Sequence, residues 1–133
     1  MTFIDSNIPM YLIGAAHPYK AEAQILVERL TAAGERLVTD VEVLQEILHR
    51  YSAIDRRKAI EPALKLTLDL VDEVFAIEKA DVLRASEIVQ SRRTLSARDS
   101  IHIAIMERYR VRSIVSFDAD FDSWPGIRRL HEV

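Results

Sequence analysis

Four acids spread along the chain, Asp5, Glu46, Asp99 and Asp118, are the residues that could do chemistry together. Carboxylates are hard oxygen donors, and a set of them suits Mg2+ or Mn2+ better than zinc. Two such cations held ~3.5–4 Å apart can activate water and stabilise a leaving oxygen during phosphodiester cleavage. Crowded carboxylates without a cation repel one another and raise one another's pKa values.

Each acid also has a plain structural reading. Asp5 closes the apolar run Phe3-Ile4, where an unpaired acid is costly; the alternative is an N-cap for a helix from Asn7 onward, a role that Ser6 or Asn7 could fill instead. Glu46, in Leu44-Gln45-Glu46-Ile47-Leu48, lies at the border of an apolar helical stripe and equally suits a solvated face, with Glu42 one turn before it. Ser96-Ala97-Arg98-Asp99 matches a capping box, so Asp99 could simply start a helix. His102 is one turn further along, within reach of Asp99, although a lone helical His usually packs or faces solvent. Asp118, Asp120 and Asp122 form an Asp-rich turn after a strand, with Asp120 the rival of Asp118. They are not an EF-hand: positions six and twelve from Asp118 are Ser123 and Arg129 where Gly and Glu are required.

The elements that must position these acids alternate between strand and helix. Short apolar runs at 2–4, 36–39, 74–77 and 113–116 read as strands, and 129–131 as a short edge strand. The 74–77 run reads as buried. Helical spacing predicts helices over 20–33, with Gly34 as C-cap, over 41–51, 56–71, 81–91, and from Ser96 to about Tyr109. Pro62 requires a start or a kink near it. Thr39-Asp40-Val41-Glu42 fits a capping box for the second helix. This order implies an α/β fold with a parallel sheet covered on both faces, whose sites lie beyond the carboxyl ends of the strands.

Composition narrows the class. The 133 residues fit one domain, and the apolar fraction of 49% and charged fraction of 29% are those of a soluble globular chain. With no cysteine, disulfides and thiolate zinc sites are excluded, which fits a cytoplasmic protein. The apolar stretch 3–16 is broken by Asp5, Asn7 and Pro9, so it is neither a signal peptide nor a membrane span. Formal charge is −3, and removing the four negative charges of the site acids leaves +1. Arginines cluster at Arg56-Arg57, Arg92-Arg93, Arg98, Arg108-Arg110-Arg112 and Arg128-Arg129. Such clusters serve as phosphate contacts or as solvated helix faces.

The blocks Phe3-Ile4-Asp5-Ser6-Asn7, Thr39–Glu46, Ser96-Ala97-Arg98-Asp99-Ser100-Ile101-His102 and Val115–Phe121 together resemble PIN domains, and specifically the VapC toxins of bacterial toxin–antitoxin (VapBC) pairs. The resemblance runs from end to end, so 1–133 is expected to form a single PIN domain. It implies a three-layer α/β/α fold with a central parallel sheet of four to five strands. It implies Asp5, Asp99 and Asp118 as metal ligands, and Glu46 as a ligand of a second metal or as the group that orients the attacking water. Ser6 would brace Asp5, and Asp120 and Asp122 would support the site. Ser116 stands where the family commonly has Thr. The implied activity is Mg2+-dependent endoribonuclease cleavage, with Mn2+ able to substitute, of structured RNA such as tRNA or rRNA loops, leaving a 3′-hydroxyl and a 5′-phosphate. Arg92, Arg93 and Arg98 would hold RNA phosphates. A homodimer and a VapB-like antitoxin that neutralises the toxin are implied as well.

Other functions on similar patterns fit less well. A receiver domain needs a lysine near the end of a late strand, where Ser116-Phe117-Asp118 stands. A haloacid-dehalogenase-type phosphatase needs a second Asp two residues after the first, where Asn7 stands. A catalytically inactive PIN-like module that binds nucleic acid or protein is the remaining alternative.

Overall fold

In the computed structural model, which describes residues 1–132, five short strands form one parallel sheet in the order β3-β2-β1-β4-β5. The strands are β1 (Thr2–Ile4), β2 (Leu37–Asp40), β3 (Glu73–Phe75), β4 (Ser113–Val115) and β5 (Arg128–Leu130). The helices are α1 (Asn7–Ile13), α2 (Pro18–Ala32), α3 (Val41–Ala53), α4 (Ile60–Leu70), α5 (Lys79–Ser91) and α6 (Ala97–Arg108). Short 3-10 turns precede α4 and follow Asp118.

Strand alternation divides the core in two. Phe3, Val38 and Ile114 point to one face, where Val43 and Ile47 of α3, Ile88 of α5 and Ile103 of α6 cover them. Ile4, Leu37 and Val115 point to the other, against Ile8 of α1 and Ala23 and Leu26 of α2. Two helical layers therefore sandwich the sheet, giving three layers, as the sequence implies.

Local chemistry explains most boundaries, including four that differ from expectation. The helix expected to begin at Lys20 begins at Pro18: the ring suits the first turn, and His17 Nδ1 accepts from the Tyr19 N–H at 3.0 Å. The segment before it is a separate helix, α1, which tolerates Pro9 because it lies in the first turn. At α3 the cap is Asp40, whose carboxylate accepts from Val43 N–H at 2.9 Å. The expected Thr39/Glu42 box does not form, because the Thr39 hydroxyl donates to the Ile4 carbonyl across the sheet. Finally, 74–77 is not a buried strand: β3 is a sheet edge with Glu73 exposed and only Phe75 buried.

Topology places the site. From β1 the chain builds outward through β2 and β3 on one side, then crosses back to β4 on the other, which opens a crevice between the carboxyl ends of β1 and β4. Asp5 follows β1, Asp40 ends β2, and Ser116 to Asp118 follow β4.

Candidate active site

Ile4 pairs in register with Val115, so Asp5 and Ser116 emerge side by side from the sheet. Asp5 is buried, 4% exposed. Its Oδ1 accepts from the Ser6 N–H at 2.8 Å, and its Oδ2 accepts from the Ser116 hydroxyl and from Asn7 Nδ2. Burial still outweighs these donors and the charge of His102, and holds the Asp5 carboxyl above its ordinary value.

Glu46 reaches in from the second turn of α3. Its Oε2 accepts from the Ser6 hydroxyl at 2.8 Å, and its Oε1 lies 2.7 Å from His102 Nε2. Burial pushes its pKa up, but the hydrogen bond and charge of His102, with help from Ser6 and the more distant Arg98, bring it below the ordinary value. His102 is wholly buried, its other nitrogen 2.7 Å from Asp40 Oδ2. Burial alone would lower its pKa, yet the carboxylates, Asp40 first, raise it well above 6.5. With a carboxylate on each ring nitrogen, the imidazole carries both protons.

Asp99 enters from the first turn of α6. Its backbone N–H donates to the Ser96 hydroxyl at 3.1 Å, so that half of the expected capping box is present. Burial, then the charges of Asp5 and Asp118, push its carboxyl up to about 6. Asp118 follows β4, donates its N–H to Ser116 Oγ at 3.0 Å, and accepts from the Asp120 N–H at 2.9 Å. Asp120 is exposed, and the adjacent Asp118 raises its pKa.

The acids thus form two neighbouring groups. Donor atoms of Asp5, Glu46 and His102 lie within 4.8 Å of one another, as do those of Asp99, Asp118 and Asp120. Among the described residues, no Lys or Arg forms an ion pair with Asp5, Glu46, Asp99 or Asp118. Asp122 is placed differently: Arg129 grips it through two bonds of 2.9 Å. The Arg98 guanidinium lies 4.0 Å from Glu42 and lines a groove of about 470 Å³ with Ser6, Asn7 and Glu46. Arg92 lies over the Trp124 ring and donates to the Ser123 carbonyl, and Arg93 is exposed beside it.

Residues 2–126 match the family model of the PIN domain. The chain belongs to the PIN-domain family. Within it the chain is 55% identical to ribonuclease VapC13 of Mycobacterium tuberculosis, over 98% of this chain and 99% of that one. It is 36% identical to ribonuclease VapC23 of the same species, over 89% and 93% respectively. It therefore falls among the VapC ribonucleases. The solved structure of M. tuberculosis VapC20, a sarcin–ricin-loop-cleaving toxin, superposes with a TM-score of 0.78 at 20% identity, covering 96% of this chain and 97% of that one. That of Rickettsia felis VapBC2 bound to a promoter DNA fragment gives 0.74 at 14%, covering 97% and 96%.

This PIN domain's acid crevice fits a hard divalent cation. Two adjoining groups of acids meet there, Asp99 and Asp118 have no ion partner among the described residues, and Asp99 is pushed up to about 6 by burial and then by the charges of Asp5 and Asp118. Two features were not legible in the sequence. Asp40 reads as part of a helix start, and nothing in the spacing links it to His102, 62 residues away. Arg50, one turn after Glu46, lines the same groove as Asn7 and Tyr11, a placement that only the three-dimensional structure gives.

Proposed function

We propose that this VapC ribonuclease is a Mg2+-dependent endoribonuclease, with Mn2+ able to substitute, that hydrolyses phosphodiester bonds in structured tRNA or rRNA loops. The observation that carries the reading is the gathering of acids at the sheet's carboxyl end, where Asp99 and Asp118 have no ion partner among the described residues and where burial, with the charges of Asp5 and Asp118, raises the Asp99 carboxyl. These three carboxylates would hold the cation, and Asp120 borders them. Bound there, it would polarise the phosphoryl oxygen and neutralise charge as it develops. Ser6 and Ser116 hold Asp5 in place, and Ser6 also holds Glu46, which orients the attacking water. Water oxygen bonds to phosphorus, the P–O3′ bond breaks, and a 3′-hydroxyl and 5′-phosphate result. Arg98 at the groove, with Arg92 and Arg93 further along, supplies phosphate contacts that position the strand.

The whole of 1–133 acts as one domain in this reading, in the cytoplasm. No described helix is long and apolar enough to cross a membrane. Relatives of this fold were solved as toxin–antitoxin complexes, among them one from Klebsiella pneumoniae, and a VapB-like antitoxin is the partner we assign. Exposed Val41 and Leu48 on α3 and Val82 and Leu83 on α5 are apolar surface of the kind a homodimer covers. Incubating purified protein with rRNA and tRNA tests the activity. Cleavage with Mg2+ or Mn2+ that stops with chelator, and is absent from Asp5→Asn, is expected; cleavage at an unchanged rate in chelator would overturn it.

A further inference from the structure

Behind the acids lies a chain of three groups that the metal-dependent reaction does not by itself require: buried Asp40 and His102, and half-buried Glu46. Asp40 is fixed at both oxygens. Its Oδ1 caps α3 through Val43 N–H, and its Oδ2 takes His102 Nδ1–H at 2.7 Å. The imidazole is further held by the Phe3 ring, 5.2 Å between centroids. Its remaining N–H, on Nε2, is thereby aimed at Glu46 Oε1, 2.7 Å away, while the Ser6 hydroxyl holds Oε2. A free Glu side chain has three rotatable bonds, and here both ends of its carboxylate are pinned.

Such a chain is a poor way to gain stability. Buried ion pairs roughly offset their own desolvation, and well-packed apolar side chains of similar volume often do as well or better. Its distinctive product is geometry. A ring nitrogen that donates its proton to Glu46 offers no lone pair to a cation, so the group formed by Asp5, Glu46 and His102 is not a ligand set in this arrangement.

We propose that His102, backed by Asp40, is a positioning residue that fixes Glu46 as the water-orienting group and keeps it out of the cation's direct coordination. Cation binding then falls to Asp5, Asp99 and Asp118, with one ion per site. This rests on the metal-dependent hydrolysis argued above.

Two amides separate the ring's two bonds. The Gln amide nitrogen occupies roughly the place of Nε2, and the Asn amide nitrogen that of Nδ1. In the full chain, His102→Asn should cut rRNA and tRNA about 100-fold more slowly at saturating Mn2+, the usual scale of general acid–base groups. His102→Gln should restore most of that rate. Mn2+ affinity and a stoichiometry of one, followed by electron paramagnetic resonance, should hold in both variants, and the wild-type Mn2+ signal should show no coupling to a directly bound ring nitrogen. Loss of Mn2+ affinity in step with the rate, or a ring-nitrogen coupling, would make His102 a ligand and overturn the proposal. So would equal rates in the two variants.

If either His102 variant fails to fold, Glu46→Gln decides: one Mn2+ bound with near-native affinity supports the assignment, and a tenfold weaker ion or a lost second ion refutes it. Proton NMR of the wild type probes the chain without any activity. Two low-field imidazole N–H signals from the one wholly buried histidine are expected, one of them lost in Glu46→Ala; their absence would refute the geometry. Wild-type protein that shows both signals yet cuts no RNA with Mn2+ would sink the hydrolysis reading, not the Glu46 geometry.

Discussion

The Ser116 hydroxyl donates to the Asp5 carboxylate across the junction of β1 and β4, joining residues 111 positions apart in the chain. The same oxygen accepts from the Asp118 N–H and from Asn7 Nδ2. One small side chain thus ties the first acid, the fourth acid and the start of α1 to a single point. A Thr could make the same contacts with one more methyl group, which accounts for Ser serving where the family commonly has Thr.

Ser116→Ala should weaken both cation binding and the fold. Asp5 would lose its buried hydroxyl donor and keep Asn7 Nδ2 at 3.3 Å, so its carboxyl would rise further above the ordinary value. The half-saturating Mg2+ concentration at pH 7 should increase several-fold. The variant also loses the bonds from the Asp118 N–H and Asn7 Nδ2, so the unfolding free energy should fall by on the order of 2–4 kcal/mol. Ser116→Thr should recover both. An unchanged Mg2+ titration in the Ala variant would show that the hydroxyl does not tune Asp5.

The raised carboxyl of Asp99 sets a pH dependence. Its pKa is about 6 in the folded chain and near 3.8 unfolded. Between those values the folded state binds more protons, so metal-free stability falls as pH rises through this window, by up to about 3 kcal/mol from this group. Asp99→Asn removes the effect and should raise the metal-free melting temperature at pH 7. Mg2+ should stabilise the wild type above pH 6 and lose its grip below it, as the proton competes for the same oxygen. Calorimetry at pH 5 and 7, with and without Mg2+, checks all of this; a melting temperature for Asp99→Asn below wild type at pH 7 would contradict it.

The geometry also ranks the two candidates for the fourth acid. Asp118 is the one whose charge reaches Asp99, and its backbone is held by Ser116 at the end of β4. Asp120 is exposed and borrows its shift from Asp118. Asp118→Asn should therefore reduce cleavage by at least about 100-fold, and Asp120→Asn by about tenfold or less. Steady-state rates on one rRNA substrate separate them, and the reverse order would reassign the site.

How far the sequence led depends on the range of the interaction. Strand–helix alternation and the run Phe3-Ile4-Asp5 are local, and they were enough for the layered sheet and for placing Asp5 and Asp118 at its carboxyl end. Boundaries failed where a long-range bond won. The Thr39 hydroxyl crosses to the Ile4 carbonyl and so leaves capping to Asp40. β3 looked buried from its apolar residues because nothing in 74–77 says that it is an edge. Asp122, part of an Asp-rich turn, is committed to Arg129 by the pairing of β4 with β5. The chain Asp40–His102–Glu46 is legible only once α6 lies across the ends of β2 and α3.

Silencing by the antitoxin should draw on the same acids. The crevice of Asp5, Asp99 and Asp118 has no Lys or Arg ion partner among the described residues, and Glu46 is paired only with His102. Such a site attracts a basic side chain, and a bidentate Arg matches a carboxylate best. We expect the partner's tail to place an Arg or Lys against Asp99 and Asp118, the pair without an internal cation, more than against Glu46, whose charge His102 already answers. Asp99→Asn keeps the size of the side chain and removes its charge. It should therefore weaken a tail peptide at least about tenfold, the cost of one desolvated charge-assisted pair. Mg2+ should compete with the peptide on wild type. Isothermal titration of the peptide against wild type, Asp99→Asn and Glu46→Gln measures the three affinities, with Glu46→Gln expected within about threefold of wild type. Equal affinities for wild type and Asp99→Asn, with no competition from Mg2+, would place inhibition elsewhere on the surface, the groove lined by Arg50, Tyr51 and Ile54 being the nearest alternative.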